Sequence, residues 1–263
     1  AFGELLDHIE GLGGKDIAAI NGLCCKREGR WISNPLWPTD IDRLPIPDRS
    51  FFNRNRKRYR YMDLPETAII KTSVSCPYRC NFCYCARLHG GEYQARDLGL
   101  VIDELRGLDA GNVLIADDDF LVDPARVRDF TDRVREAGID KKFVCYGRAY
   151  FIAAHPERIR ELADIGFVYF IVGLEAISDE TLNGYQKGTT QAMNEACLRH
   201  IKEAGAHCIG LLMMPLDAGR RDFRRLARWA SERPIRYVTL SAFTPIPGTP
   251  IFDEYKDRLR TRD

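Results

Sequence analysis

From Thr67 onward, short runs rich in β-branched and aromatic residues alternate with stretches of helical periodicity, and this alternation constrains the fold of the chain more than any other feature. The β-like runs cover residues 68–74, 113–116, 143–146, 168–174, 208–213 and 237–242, and the helical stretches cover 98–108, 124–137, 156–165, 190–204 and 221–233. Repetition of this kind is the signature of βα units around a parallel sheet. The strands are nearly continuous in apolar residues and need cover on both faces. Six units are too few to close an eight-stranded barrel, so the expected fold is α/β, a partial, open (βα)6 TIM-like barrel over residues 67–263. Pro124 and Pro156 stand where a first helical turn tolerates proline, and Gly138, Gly166 and Gly205 stand where helices end. In such a sheet the chemistry belongs at the C-terminal ends of the strands.

Residues 1–66 read differently. Segments 2–9 and 17–23 suggest a small helical or mixed piece, and a run punctuated by Pro38, Pro45 and Pro47 reads as an extended linker. The basic stretch Arg54, Arg56, Lys57, Arg58 and Arg60 reads as a solvated face. Thirty-nine basic against thirty-eight acidic residues leave a formal charge of +1, which recommends no nucleic-acid partner. The longest apolar run, 167–174, falls far short of the ~20 residues a membrane span needs. Nine cysteines, an odd number with three inside eight positions, point to a reducing compartment and to metal chemistry, and the expected location is the cytoplasm.

Those three cysteines follow the first predicted strand in Cys76-Pro77-Tyr78-Arg79-Cys80-Asn81-Phe82-Cys83. Three thiolates on one short loop suit one face of an iron–sulfur cube, leaving its fourth iron without a protein ligand and open to substrate. Structural zinc wants four protein ligands, usually in pairs, and no second Cys-x-x-Cys pair follows. Cys85 is read as a non-ligand, because its position two residues after Cys83 makes ligation to the same cube awkward. Cys24, Cys25, Cys145, Cys197 and Cys208 show no ligand spacing and read as small apolar residues of helices and strands.

With Phe82 before the last cysteine, this loop resembles the radical S-adenosylmethionine superfamily, and the resemblance extends over residues 67 to about 255. It implies a [4Fe–4S] cluster on Cys76, Cys80 and Cys83 whose unique iron is chelated by S-adenosylmethionine. An electron from the cluster then breaks a sulfur–carbon bond to release a 5′-deoxyadenosyl radical. An external reductant such as flavodoxin or ferredoxin supplies that electron.

Asp117, Asp118 and Asp119 crowd the end of the second strand. Carboxylates there accept hydrogen bonds from a ligand ammonium or form an acidic turn before a helix cap at Asp123; ligand binding is the favoured reading, with the choice among the three carboxylates left open. The resemblance implies that polar groups at this point hold the amino group of S-adenosylmethionine. Glu175, closing Val172-Gly173-Leu174-Glu175, resembles the family's ribose ligand. The resemblance implies that Arg148 meets the cofactor's carboxylate or the substrate, and Lys187 stands where relatives carry a basic residue for that carboxylate, although a lone lysine also reads as a surface residue. The turn Thr244–Pro250 offers backbone groups and apolar surface to an adenine ring.

Together these elements resemble a subgroup in which a cobalamin-binding domain precedes the barrel. Residues 1–66 are then expected to be the C-terminal remnant of that domain plus its linker, with the barrel cut at its C-terminal end. The implied activity is cobalamin-dependent methyl transfer to, or rearrangement of, an unactivated carbon in a small molecule. The segment Tyr93-Gln94-Ala95-Arg96-Asp97 resembles members acting on tetrapyrroles or polycyclic lipids. Two alternatives are a methylthio-transferase acting on RNA or protein and a non-catalytic iron–sulfur electron-transfer protein.

Overall fold

A computed structural model describes residues 2–37, 40–88 and 91–259. Six strands build the main sheet: β1 (Thr67–Ile70), β2 (Asn112–Ile115), β3 (Lys142–Arg148), β4 (Phe167–Glu175), β5 (His207–Met214) and β6 (Ile235–Ala242). Their order is β6-β5-β4-β3-β2-β1 and every pair is parallel. Each strand is laid beside its predecessor with no reversal of direction, so right-handed crossovers put successive helices on one face and leave the other as the barrel interior. The architecture is therefore a partial (βα)6 barrel.

Strand alternation sorts the side chains between these faces. Val113, Ile115, Phe143, Cys145, Phe170 and Val172 pack with helix residues such as Val101, Leu105, Phe130 and Ile159. Leu114, Val144, Tyr169, Ile171 and Ile209 form a smaller interior cluster. The outer helices are α1 (Leu98–Arg106), α2 (Pro124–Glu136), α3 (Ala149–Ala154), α4 (Pro156–Asp164), α5 (Asp179–Gly184), α6 (Gln191–Glu203), α7 (Arg220–Ser231) and α8 (Pro250–Tyr255). Pro124 and Pro156 occupy first turns, and Gly166 (φ 106°) must be glycine because a Cβ there would lie 2.1 Å from the Lys141 carbonyl oxygen.

The first strand departs from the expected 68–74. Its ladder with β2 ends at Ile70, and Ser73–Val74 pairs antiparallel with Gln94–Ala95 instead. The cause is Asp117, whose carboxylate accepts the backbone N–H groups of Thr72 (2.6 Å) and Ser73 (3.0 Å) together with both hydroxyls. Those donors therefore leave the main sheet without going unpaired. Helices α3 and α5, of six residues each, are too short to register as periodic segments.

Before the barrel, helix Phe2–Ile9 matches the expected 2–9, while Cys24–Arg27 and Arg30–Ser33 form an antiparallel hairpin that the sequence reading missed. Its turn places Glu28 (φ 49°) and Gly29 (φ 80°) in the left-handed region, and Glu-Gly is a weaker hairpin signal than Asn-Gly or Asp-Gly. Cys145, Cys197 and Cys208 are buried as small apolar residues, but Cys24 is exposed on this hairpin. Pro38 of the expected linker run lies outside the described residues. The segment before β1 is tied to the barrel by Arg49, which donates to the buried Glu104 of α1, as does Arg96 at 2.7 Å. Among the described residues no helix is long and apolar enough to cross a membrane.

Candidate active site

The cysteine loop leaves β1 through Ser75, a buried non-glycine residue in the left-handed region (φ 67°). Cys80 is buried, whereas Cys76 and Cys83 are half-buried. Asn81 holds the loop at three points: its N–H donates to the Tyr185 carbonyl (3.3 Å), its side-chain amide to Gly184 (2.8 Å), and its own carbonyl accepts from Ile251 N–H (3.2 Å). Phe82 lies edge-on to Tyr185 at 5.3 Å, Tyr185 stacks on Phe243 at 5.6 Å, and Phe243 meets Tyr255 at 5.5 Å. These contacts join the loop after β1 to segments following β4 and β6.

Burial pushes the Cys76 thiol up to about 11. A hydrogen bond with the Cys85 thiol brings Cys83 down to about 6 and pushes Cys85 up. Among the described residues no three His, Cys, Asp or Glu side chains are placed to hold a single metal ion. A cube takes one thiolate per iron, so its ligands need not converge on one point.

The structure divides the three aspartates. Asp117 is spent on Thr72 and Ser73, as described above. Asp118 faces Lys71 at 4.0 Å. Asp119 is buried, accepts the Leu121 N–H through Oδ1 (3.0 Å), and leaves Oδ2 without a partner. Burial pushes its carboxyl up to about 7, against the opposing pull of the Leu121 N–H and the charges of Arg148 and Lys187.

Glu175 ends β4 at a positive φ of 58° and accepts from Lys187 Nζ at 2.8 Å, both groups being buried. Gly173 makes room for this pair, since a Cβ there would lie 2.4 Å from Glu175 Oε1 and 2.7 Å from Lys187 Nζ. Gly173→Ala is expected to displace the pair and destabilise the fold by about 1–3 kcal/mol, the usual cost of overpacking. Thermal or denaturant unfolding checks this, and an unchanged midpoint would show that the pair relaxes freely. Arg148 ends β3, is buried, and donates to the Lys187 carbonyl and toward Cys80 Sγ.

Among the described residues, eight buried side-chain polar atoms lack a hydrogen-bond partner, and six belong to segments at the ends of β1–β4: Ser75 Oγ, Asn81 Oδ1, Asp118 Oδ2, Asp119 Oδ2, Arg148 Nε and Thr189 Oγ1. Native proteins leave few such atoms unpaired, so a concentration at one mouth fits a polar ligand bound there. Beside it a cleft of about 600 Å³ opens at the ends of β4–β6, walled by Tyr185, Met213, Phe243 and Ile251 with Glu180 and Arg225 among its lining residues. The sequence reading missed Tyr78, Asn81 and Tyr185. The first two lie inside the cysteine spacing itself, and the Arg148 guanidinium sits over the Tyr78 ring at 3.9 Å from its centroid, a contact that no spacing signals.

The sequence profile of the Radical SAM superfamily matches residues 70–254. An uncharacterised methyltransferase of Pyrococcus horikoshii is 25% identical over 259 residues, covering 96% of this chain and 55% of that protein. The hopanoid C-3 methylase of Methylococcus capsulatus is 26% identical over 218 residues, covering 83% and 42%. The chain thus spans about half the length of the curated relatives it matches. Among solved structures, the cobalamin-dependent S-adenosylmethionine radical enzyme OxsB, with aqua-cobalamin and S-adenosylmethionine bound, shares the fold with a TM-score of 0.74 and 16% identity over 98% of this chain and 44% of its own. The radical S-adenosylmethionine methyltransferase TsrM of Kitasatospora setae, with tryptophan and a SAM analogue bound, does so with a TM-score of 0.73 and 19% identity over 96% and 51%. A profile match over most of the barrel, on a chain whose cysteine loop follows the first strand of a partial (βα)6 fold, means that this chain belongs to the radical SAM superfamily.

Proposed function

We propose that this chain is the radical-generating part of an S-adenosylmethionine-dependent enzyme, with Cys76, Cys80 and Cys83 as the ligands of a [4Fe–4S] cluster. The observation that carries this reading is the position of the cysteine loop at the same mouth as the unpartnered buried polar atoms. Bound there, the cluster supplies one electron for reductive cleavage of the nucleotide's sulfur–carbon bond. The protein's part is to bind, orient and exclude water. Asp119 Oδ2 accepts from the ligand's ammonium. Glu175, held in place by Lys187, accepts from ribose hydroxyls. The apolar wall of Phe243, Ile251 and Met213 takes the adenine, and Phe82 with Tyr185 shields the loop from solvent.

The overall reaction proposed is methyl transfer to, or rearrangement of, an unactivated carbon in a small molecule with cobalamin as methyl carrier. Support comes from the methylase among the relatives and from cobalamin in OxsB. No Asp-x-His-x-x-Gly segment, the usual cobalt-ligand motif, occurs in these 263 residues, so this chain alone is expected to bind cobalamin poorly. A reducing cytoplasm with flavodoxin or ferredoxin as electron donor suits such a cluster and a chain whose nine cysteines are all free.

Anaerobic reconstitution followed by titration with S-adenosylmethionine tests the site. The nucleotide is expected to change the electron paramagnetic resonance spectrum of the reduced cluster. Glu175→Gln and Asp119→Asn should each weaken that binding about ten- to hundred-fold, the value of one charge-assisted hydrogen bond of roughly 1.5–3 kcal/mol. A cluster whose spectrum ignores the nucleotide would favour the electron-transfer alternative.

A further inference from the structure

We infer that Arg148 sets the reduction potential of the cluster through a charge-assisted hydrogen bond to Cys80, an inference that rests on the cluster proposed above. Arg148 Nη1 lies 3.2 Å from Cys80 Sγ, and its Nη2 donates to the Lys187 carbonyl. The guanidinium carbon sits 3.9 Å from the centroid of the Tyr78 ring. A sulfur, a carbonyl and an aromatic face therefore fix the plane of one buried side chain. Two of these three partners, Tyr78 and Cys80, belong to the cluster loop itself. Cys80 is also the most enclosed of the three ligand cysteines, at 9% exposure, so solvent screens this contact least.

A donor aimed at a ligand sulfur stabilises negative charge on that sulfur, and an added electron increases the charge. The reduced cluster therefore gains more from Arg148 than the oxidised one, and the potential rises. The couple is one electron from an external donor, and no proton accompanies it at this residue because a guanidinium does not deprotonate in proteins. The planar fork satisfies sulfur and carbonyl at once. A lysine ammonium would carry the same charge without that geometry.

The test uses wild type, Arg148→Gln and Arg148→Lys, each reconstituted anaerobically. Iron and sulfide per chain are counted, and the cluster is then poised with dithionite and mediators in the absence of S-adenosylmethionine, so that any role of Arg148 in nucleotide binding has no influence. At the wild-type midpoint, Arg148→Gln is expected to show a reduced-to-oxidised ratio about tenfold lower, which is 59 mV for a one-electron couple. Arg148→Lys should fall between the two. Tyr78→Leu, which removes the aromatic face but neither the charge nor the donor, should move the midpoint in the same direction by less. A full cluster with an unchanged midpoint in Arg148→Gln would overturn the inference. A midpoint for Arg148→Lys equal to wild type would overturn the hydrogen bond in favour of charge alone. Loss of the cluster from both Arg148 variants, with wild type loaded, would overturn it by making Arg148 an assembly residue. A wild-type chain that takes up no cluster would sink the cluster reading itself.

Discussion

Alanine at Cys76, Cys80 or Cys83, each alone, is expected to abolish a stable [4Fe–4S] cluster while leaving the barrel folded. The loop is held by contacts that do not involve sulfur: Asn81 to Gly184, Tyr185 and Ile251, and Phe82 against Tyr185. Secondary structure and the unfolding midpoint of the metal-free chain should therefore stay close to wild type, and iron and sulfide should fall to background. Cys85→Ala is the control. Cys85 opens the short helix Cys85–Leu88 and is hydrogen-bonded to Cys83, so its loss should alter the thiol chemistry of the empty loop without removing a ligand. A full complement of iron and sulfide after loss of any of the three would refute the ligand set, and cluster loss in Cys85→Ala would add a fourth thiolate and close the site.

Glu104→Ala is expected to be the most destabilising single change outside the apolar core. The Glu104 side chain is 2% exposed and is shared by Arg49 and Arg96, whose side chains are 19% and 14% exposed. Removing the acid leaves two largely enclosed guanidinium groups facing each other, a change that costs about 3–5 kcal/mol where a buried pair is broken. For a chain of this size that corresponds to a fall in melting temperature of roughly 6–20 °C. The effect should reach the cysteine loop. The same Arg96 Nη1 donates to the Lys71 carbonyl, and Arg126 Nη2 donates to the carbonyls of Thr72 and Arg96, so the turn before Cys76 loses part of its support. Calorimetry checks the stability, and limited proteolysis near Arg49 checks release of the segment before the barrel. A loss of under 1 kcal/mol would show that the arginines find solvent once the acid is gone.

The barrel was legible in the sequence because its cause is local and repeated. Apolar runs that need cover on both faces, proline at N1 and glycine after helix ends each act within a few residues, and β2–β6 with their long helices emerged where periodicity placed them. What periodicity misses is whatever is shorter than its own window. Helices α3 and α5, and the hairpin turned by Glu28 and Gly29, carry no repeat to detect. The end of β1 was overrun for a different reason: residues 68–74 read as one strand, and only Asp117, 45 positions from Thr72, diverts the amides of Thr72 and Ser73.

The candidate site divides in the same way. Cysteine spacing is a property of one loop, and the ends of strands are predictable from the strands, so the superfamily and the end of the barrel that carries the cysteine loop were legible in the sequence by itself. Tertiary structure alone decided how the acidic triplet is used. Asp117, Asp118 and Asp119 are chemically identical neighbours, and their roles diverge because backbone direction aims one at Thr72 and Ser73, one toward Lys71, and one into the buried mouth with an oxygen to spare. Likewise the Arg148 contact with Cys80 joins residues 68 positions apart. Composition and periodicity describe each segment separately, whereas a hydrogen bond depends on where two segments meet.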